Sequence, residues 1–148
     1  MSYRERRVVV SLISTILIAT IYFAYVFQNY PKGSAYSVEA FHFWGASVFI
    51  IVPISIVVRI VTEIVISIAN SIATREKPTY QSDERDKLIE LRGLRYALFV
   101  FVFGFMLALG SLVIDQPPTV MFLVTFVSGF VSGMIGDITQ LYYYRKGF

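Results

Sequence analysis

Where charge is absent governs what this chain can fold into. Of its 23 charged residues, four lie in positions 1–7, eleven in 71–95 and two, Arg145 and Lys146, near the C-terminal end, so long stretches between them carry almost none. Val8 to Phe27 is a run of twenty uncharged residues, mostly Val, Ile, Leu and aromatics. At ~1.5 Å per residue, a helix of that length crosses a ~30 Å hydrocarbon core. Arg4, Arg6 and Arg7 precede the run, as basic residues precede a signal peptide. The apolar stretch outlasts the ~7–15 residues usual for a signal, and no small-x-small cleavage site follows, so we expect an uncleaved first span.

Composition agrees with this distribution. The chain is 56% hydrophobic and 16% charged, with a mean hydropathy of +0.66, a balance that excludes a soluble globular domain. Its 13 Phe and 10 Tyr exclude a solvated, disordered coil. The expected fold class is all-α, an integral membrane four-helix bundle forming one domain over 1–148. Its spans are expected at about 8–28, 41–73, 94–115 and 119–144, with a cytoplasmic loop at about 74–93. The second apolar region is too long for one upright crossing, and Pro53 removes a hydrogen bond within it, so it must tilt, kink or emerge from the bilayer.

Orientation follows from Lys and Arg. Three lie before the first span, six in the 71–95 segment and two in the tail; the loop between spans one and two has only Lys32, and the turn at Asp115, Pro117 and Pro118 has none. This asymmetry places both termini and the middle loop in the cytoplasm. The same basic excess, +3 overall, is therefore no argument for nucleic acid, and no nucleic-acid partner is expected. With no Cys, disulfides, thiolate metal sites and cysteine chemistry are excluded, and the single His42 allows no His-pair metal site. Neither a metal nor a cofactor is expected, and no constellation of catalytic residues appears. His42 and Trp44 sit at the outer mouth of span two, where an interfacial aromatic anchor is the plain expectation.

Two features lie within the spans. Span four carries Gly129-x-x-x-Gly133 and Ser128-x-x-x-Ser132-x-x-x-Gly136, a line of small residues that lets helices approach closely in lipid. Internal packing is its plainer use and a subunit interface the other. The second feature is charge. Arg59, Glu63 and Asp137 lie at apolar depth, where each ion costs ~2.5–3.5 kcal/mol on insertion scales and is therefore paired or functional. Helical rise puts Arg59 ~23 Å below Trp44 and Asp137 ~27 Å below Thr119, nearly one level, with Ser11, Ser14 and Thr15 of span one facing them. The expectation is one guanidinium shared by two carboxylates, leaving one negative charge over, the chemistry of a proton- or cation-coupled carrier. The plainer alternative is an ion pair near the interface with the long Arg reaching toward water.

Residues 82–95, SDERDKLIELRGLR, should form a helix continuous with span three. Ser82 is the expected N-cap, acidic residues suit the first turn, and Lys87 is placed to pair with Asp83. Asp83, Asp86 and Glu90 would share one face and Arg85, Arg92 and Arg95 another. Three carboxylates on one face could hold a hydrated cation, although their spacing matches no EF-hand loop. The run Asp83-Glu84-Arg85-Asp86, then Glu90, then Arg92-Gly93 and Arg95-Tyr96, resembles the cytoplasmic motif of small uncharacterised bacterial multi-pass inner-membrane proteins. That resemblance covers about fifteen residues. It implies a bacterial inner-membrane protein and singles out Asp83, Glu84, Arg85 and Asp86, without assigning them a reaction.

Two functions fit these residues. One is a non-enzymatic membrane protein acting by helix association, as a homo-oligomer or a small subunit of a membrane protein partner. The other is a small proton- or cation-coupled transporter or channel using Arg59, Glu63 and Asp137.

Overall fold

The computed structural model describes residues 3–74 and 83–146. They form four helices, α1 (Tyr3–Asn29), α2 (Val38–Thr74), α3 (Glu84–Val113) and α4 (Pro118–Lys146). Each is long and apolar enough to cross a bilayer. The described chain is thus all-helical and compatible with a multi-pass membrane protein.

Local chemistry sets the helix ends. Ser37 caps α2, its Oγ accepting from the Ala40 N–H at 3.1 Å and its carbonyl from Phe41. Asp83 occupies the N-cap of α3 in extended conformation without a side-chain cap bond, and Ser82, the expected cap, lies outside the described residues. Asp115 ends α3 with a φ of 58°, the left-handed region. There the Gln116 N–H donates to Ser111 O and the Asp115 N–H to Leu112 O, the pair of reversed bonds that closes a helix end. Pro117 then forbids continuation, and Pro118 starts α4 at the position where a missing N–H is harmless.

The helices pack in the order α2–α1–α4–α3, each against the next. Because they alternate in direction, both termini of the described chain lie at one end of the bundle, called here the terminal end. The α3–α4 turn lies at the other, the hairpin end. The α3–α4 contact is the tightest and depends on small residues. A Cβ on Gly104 would collide with the Ser128 side chain, one on Gly93 would lie 2.9 Å from Gly136 O, and one on Gly136 would lie 3.2 Å from Ala97 Cβ. Nothing bulkier fits, and close backbone approach is what replaces hydrophobic driving force between helices in lipid.

This contact divides the small-residue line of span four. Ser128 and Gly136 are buried against α3. A Cβ added at Gly129 would meet nothing within 4 Å among the described residues, and one at Gly133 would face Thr15 of α1. Ser132 turns its hydroxyl back to Gly129 O at 2.8 Å. Ser128 and Gly136 therefore serve packing against α3, Gly133 faces α1, and Gly129 borders open space.

An aromatic core joins α1, α2 and α4 toward the hairpin end. Tyr22, Val26, Trp44, Ile51 and Phe126 are buried there, with Phe43, Phe122 and Phe130 around them. Trp44 is only 1% exposed and stacks on Phe122 at 5.5 Å between ring centroids. Where an interfacial anchor is expected, the structure thus covers the indole ring with protein: the α1–α4 pair offers it an aromatic slot. Tyr30 Oη, just past the end of α1, and Thr119 Oγ1 of α4 lie 2.8 Å apart above this core.

Candidate functional site

Toward the terminal end the helices part. Regular spacing carries polar groups onto the faces exposed by that parting. On α1, Arg4, Arg7, Ser11 and Thr15 follow at three- and four-residue steps; on α2, Ser55, Arg59 and Glu63 do the same, and on α4, Gly129, Gly133, Asp137 and Gln140. These residues line a cavity of about 730 Å³. Its far wall toward the hairpin end is the underside of the aromatic core, at Phe122, Phe126 and Phe130.

Two ion pairs cross this cavity. Arg59 Nη2 lies 3.5 Å from Asp137 Oδ1, joining α2 to α4, and Arg7 Nη2 lies 2.8 Å from Glu63 Oε1, joining α1 to α2. Ser11 Oγ donates to the other Asp137 oxygen at 3.0 Å. The side chain of Asp137 is 4% exposed, whereas those of Arg59 and Glu63 are 58% and 42% exposed. The two acids do not share one guanidinium, as the sequence suggests they would. Each has its own, so two cations balance two anions and no negative charge is left over.

Arg7 is the member that sequence reasoning missed. It lies just outside the apolar run and reads as an orienting charge, yet it precedes Ser11 by four residues and so falls on the same helix face. That spacing is the signal by which it could be found. Asp137, by contrast, points into the bundle as its position beside Gly133 predicts.

The residues of the Asp83–Asp86 segment have different surroundings. Asp86 Oδ2 bonds Arg4 Nη2 at 2.9 Å, tying the start of α3 to the start of α1. Lys87 makes no ion pair with Asp83 among the described residues; the nearby Arg4 gives Asp86 a partner in a less exposed place. Glu84 and Arg85 are exposed, Glu90 borders the cavity, and the Arg92 guanidinium lies over the Tyr143 ring at 5.0 Å. No group of three or more His, Cys, Asp or Glu placed to hold a metal ion occurs among the described residues.

Compared with family models, curated proteins and solved structures, the chain matches none.

Proposed function

We propose that the chain is a non-enzymatic inner-membrane protein, and that its working element is the charged cavity of a small proton- or cation-coupled carrier or channel. The observation that carries this reading is the cavity itself, which reaches both interhelical ion pairs and ends at an aromatic seal. Ions at apolar depth that only held helices together would do so best in a dry contact, since water beside a pair weakens it. Here Arg59 and Glu63 are half exposed to an open space, where a proton or a cation can compete for the carboxylates. The excess of Lys and Arg at the terminal end supports a cytoplasmic location for both termini, so the cavity would open inward. Purified protein in proteoliposomes should dissipate an imposed pH or cation gradient. Glu63→Gln and Asp137→Asn should each abolish the flux, while Glu84→Gln, on the exposed motif, should keep it. Flux unchanged in both variants with intact folding, or wild-type flux no greater than that of empty vesicles, refutes the carrier.

Association comes second, and one observation favours it. α2 packs against α1 but, among the described residues, forms no packed interface with α3, so the cavity has an unwalled side that a second copy or a membrane partner could close. Crosslinking across that side in native membranes, and a dimer mass in detergent, would support this reading.

A further inference from the structure

The cavity has two chemically different ends. Toward the hairpin end its walls are hydrocarbon and aromatic, at Ile18, Ile51, Val52, Phe126 and Phe130. Toward the terminal end they carry Arg4, Arg7, Arg59, Glu63 and Glu90. Both α2 and α3 supply walls, through Ile56 and Arg59 on one side and Leu94 and Phe101 on the other, yet the described residues of those two helices share no packed interface. Between two membrane spans such a gap would open sideways onto lipid as well as onto water.

Charge narrows what such a gap admits. The bordering cations Arg4, Arg7 and Arg59 equal in number the acids Glu63, Glu90 and Asp137; Arg7 pairs with Glu63 and Arg59 with Asp137, while Arg4 is held by Asp86 beside the cavity. A head with net charge would upset the pairing of Arg7 with Glu63 and of Arg59 with Asp137, whereas a zwitterion would offer each accessible charge its counter-charge. The two most accessible charges, Arg59 and Glu63, are of opposite sign and stand one helical turn apart on α2. Each is paired across to another helix instead of to the other. Arg59 gives one terminal nitrogen to Asp137 over a long 3.5 Å contact, leaving most of its five N–H donors for phosphate oxygens. Glu63 meets Arg7 through Oε1, so Oε2 can accept from an ammonium.

Resting on the reading of this cavity as the working element, we infer that it holds one bilayer amphiphile bearing a phosphate and a primary ammonium. The phosphate would lie at Arg59, the ammonium at Glu63 and an acyl chain along Ile51, Phe126 and Phe130. A volume of about 730 Å³ is that of a drug-sized ligand, room for the head and one chain of such a lipid, whose second chain would lie outside in the gap between α2 and α3.

The test is retention of lipid by the whole protein. Protein reconstituted in vesicles of equal phosphatidylethanolamine and phosphatidylglycerol is extracted in detergent, and its bound lipid is read by native mass spectrometry. One phosphatidylethanolamine per chain should be retained, enriched about fivefold over phosphatidylglycerol. Arg59→Gln with Glu63→Gln should lower retention about tenfold, and the exposed pair Glu84→Gln with Arg85→Gln should not. Retention in the vesicle ratio overturns the inference, and because it is read on the wild-type chain it stands even if the variant misfolds. Equal displacement by O-phosphoethanolamine, a head without a chain, also overturns it and indicates a soluble solute. Gradient flux that needs Glu63, with no retained lipid, overturns this inference alone; retained lipid with no flux overturns the carrier reading alone.

Discussion

Adding a single methyl group at Gly104 tests how the bundle is held. A Cβ there would meet both Oγ and Cβ of Ser128, and Ser128 cannot swing away cheaply because its Oγ bonds Val124 O at 2.6 Å. The two backbones must separate, and overpacking of this kind costs about 1–3 kcal/mol. Alanine also gains about 1 kcal/mol of helix propensity over glycine, which would mask part of the loss. Gly129→Ala supplies the correction, because its added Cβ would meet nothing within 4 Å among the described residues and it receives the same propensity gain. The difference between the two variants is therefore the packing term itself, about 1–3 kcal/mol. At roughly 3 °C per kcal/mol for a chain of this size, Gly104→Ala should melt about 3–9 °C below Gly129→Ala in the same detergent. Ser128→Gly in the Gly104→Ala background should recover part of that difference, since the colliding atoms are then gone while the new glycine forfeits some helix propensity. Equal melting temperatures for Gly104→Ala and Gly129→Ala, or no recovery in the double variant, would refute the close α3–α4 packing.

Three further outcomes follow from the geometry. Asp115→Gly should raise thermal stability by about 0.5–1 kcal/mol, because the φ of 58° is unstrained for glycine; a fall in melting temperature would contradict the turn. Trp44, the only tryptophan, should be quenched weakly both by iodide and by lipids brominated along the acyl chain, since protein surrounds its ring; strong quenching by the lipids would return it to the bilayer. A double-mutant cycle on Arg4→Gln and Asp86→Asn should give a coupling of about 0.5–1 kcal/mol, reduced by added salt, and additivity of the two changes would dissolve that pair.

The helices are legible in the sequence because each apolar run is bounded by charge or by turn chemistry: Arg7 before the first, Pro117 and Pro118 between the last two. The inward aim of Asp137 follows from its place beside small residues. Partner choice is not legible, because periodicity reports which face a residue occupies and not which helix comes opposite. Glu63 therefore reads as a companion of Arg59, yet its carboxylate meets Arg7. Trp44 shows the same limit, since an aromatic at a helix mouth reads alike whether it meets headgroups or the ring of Phe122. The divided role of the span-four glycines needs the position of α3, to which no single-helix pattern refers.

One of the two neighbours of α1, the helix α4, is made after the other three described helices. Ser11 reaches Asp137 across 126 positions, and Tyr30 meets Thr119 across 89. During synthesis Arg7 can meet Glu63 once α2 has emerged, whereas Ser11 must wait for α4 to supply Asp137. The α3–α4 unit, closed by a short connection, can form as soon as it emerges. Trimming the chain upstream of Asp137 would thus remove part of the α4 surface against which α1 packs, and the loss would be felt at Ser11, more than a hundred positions away.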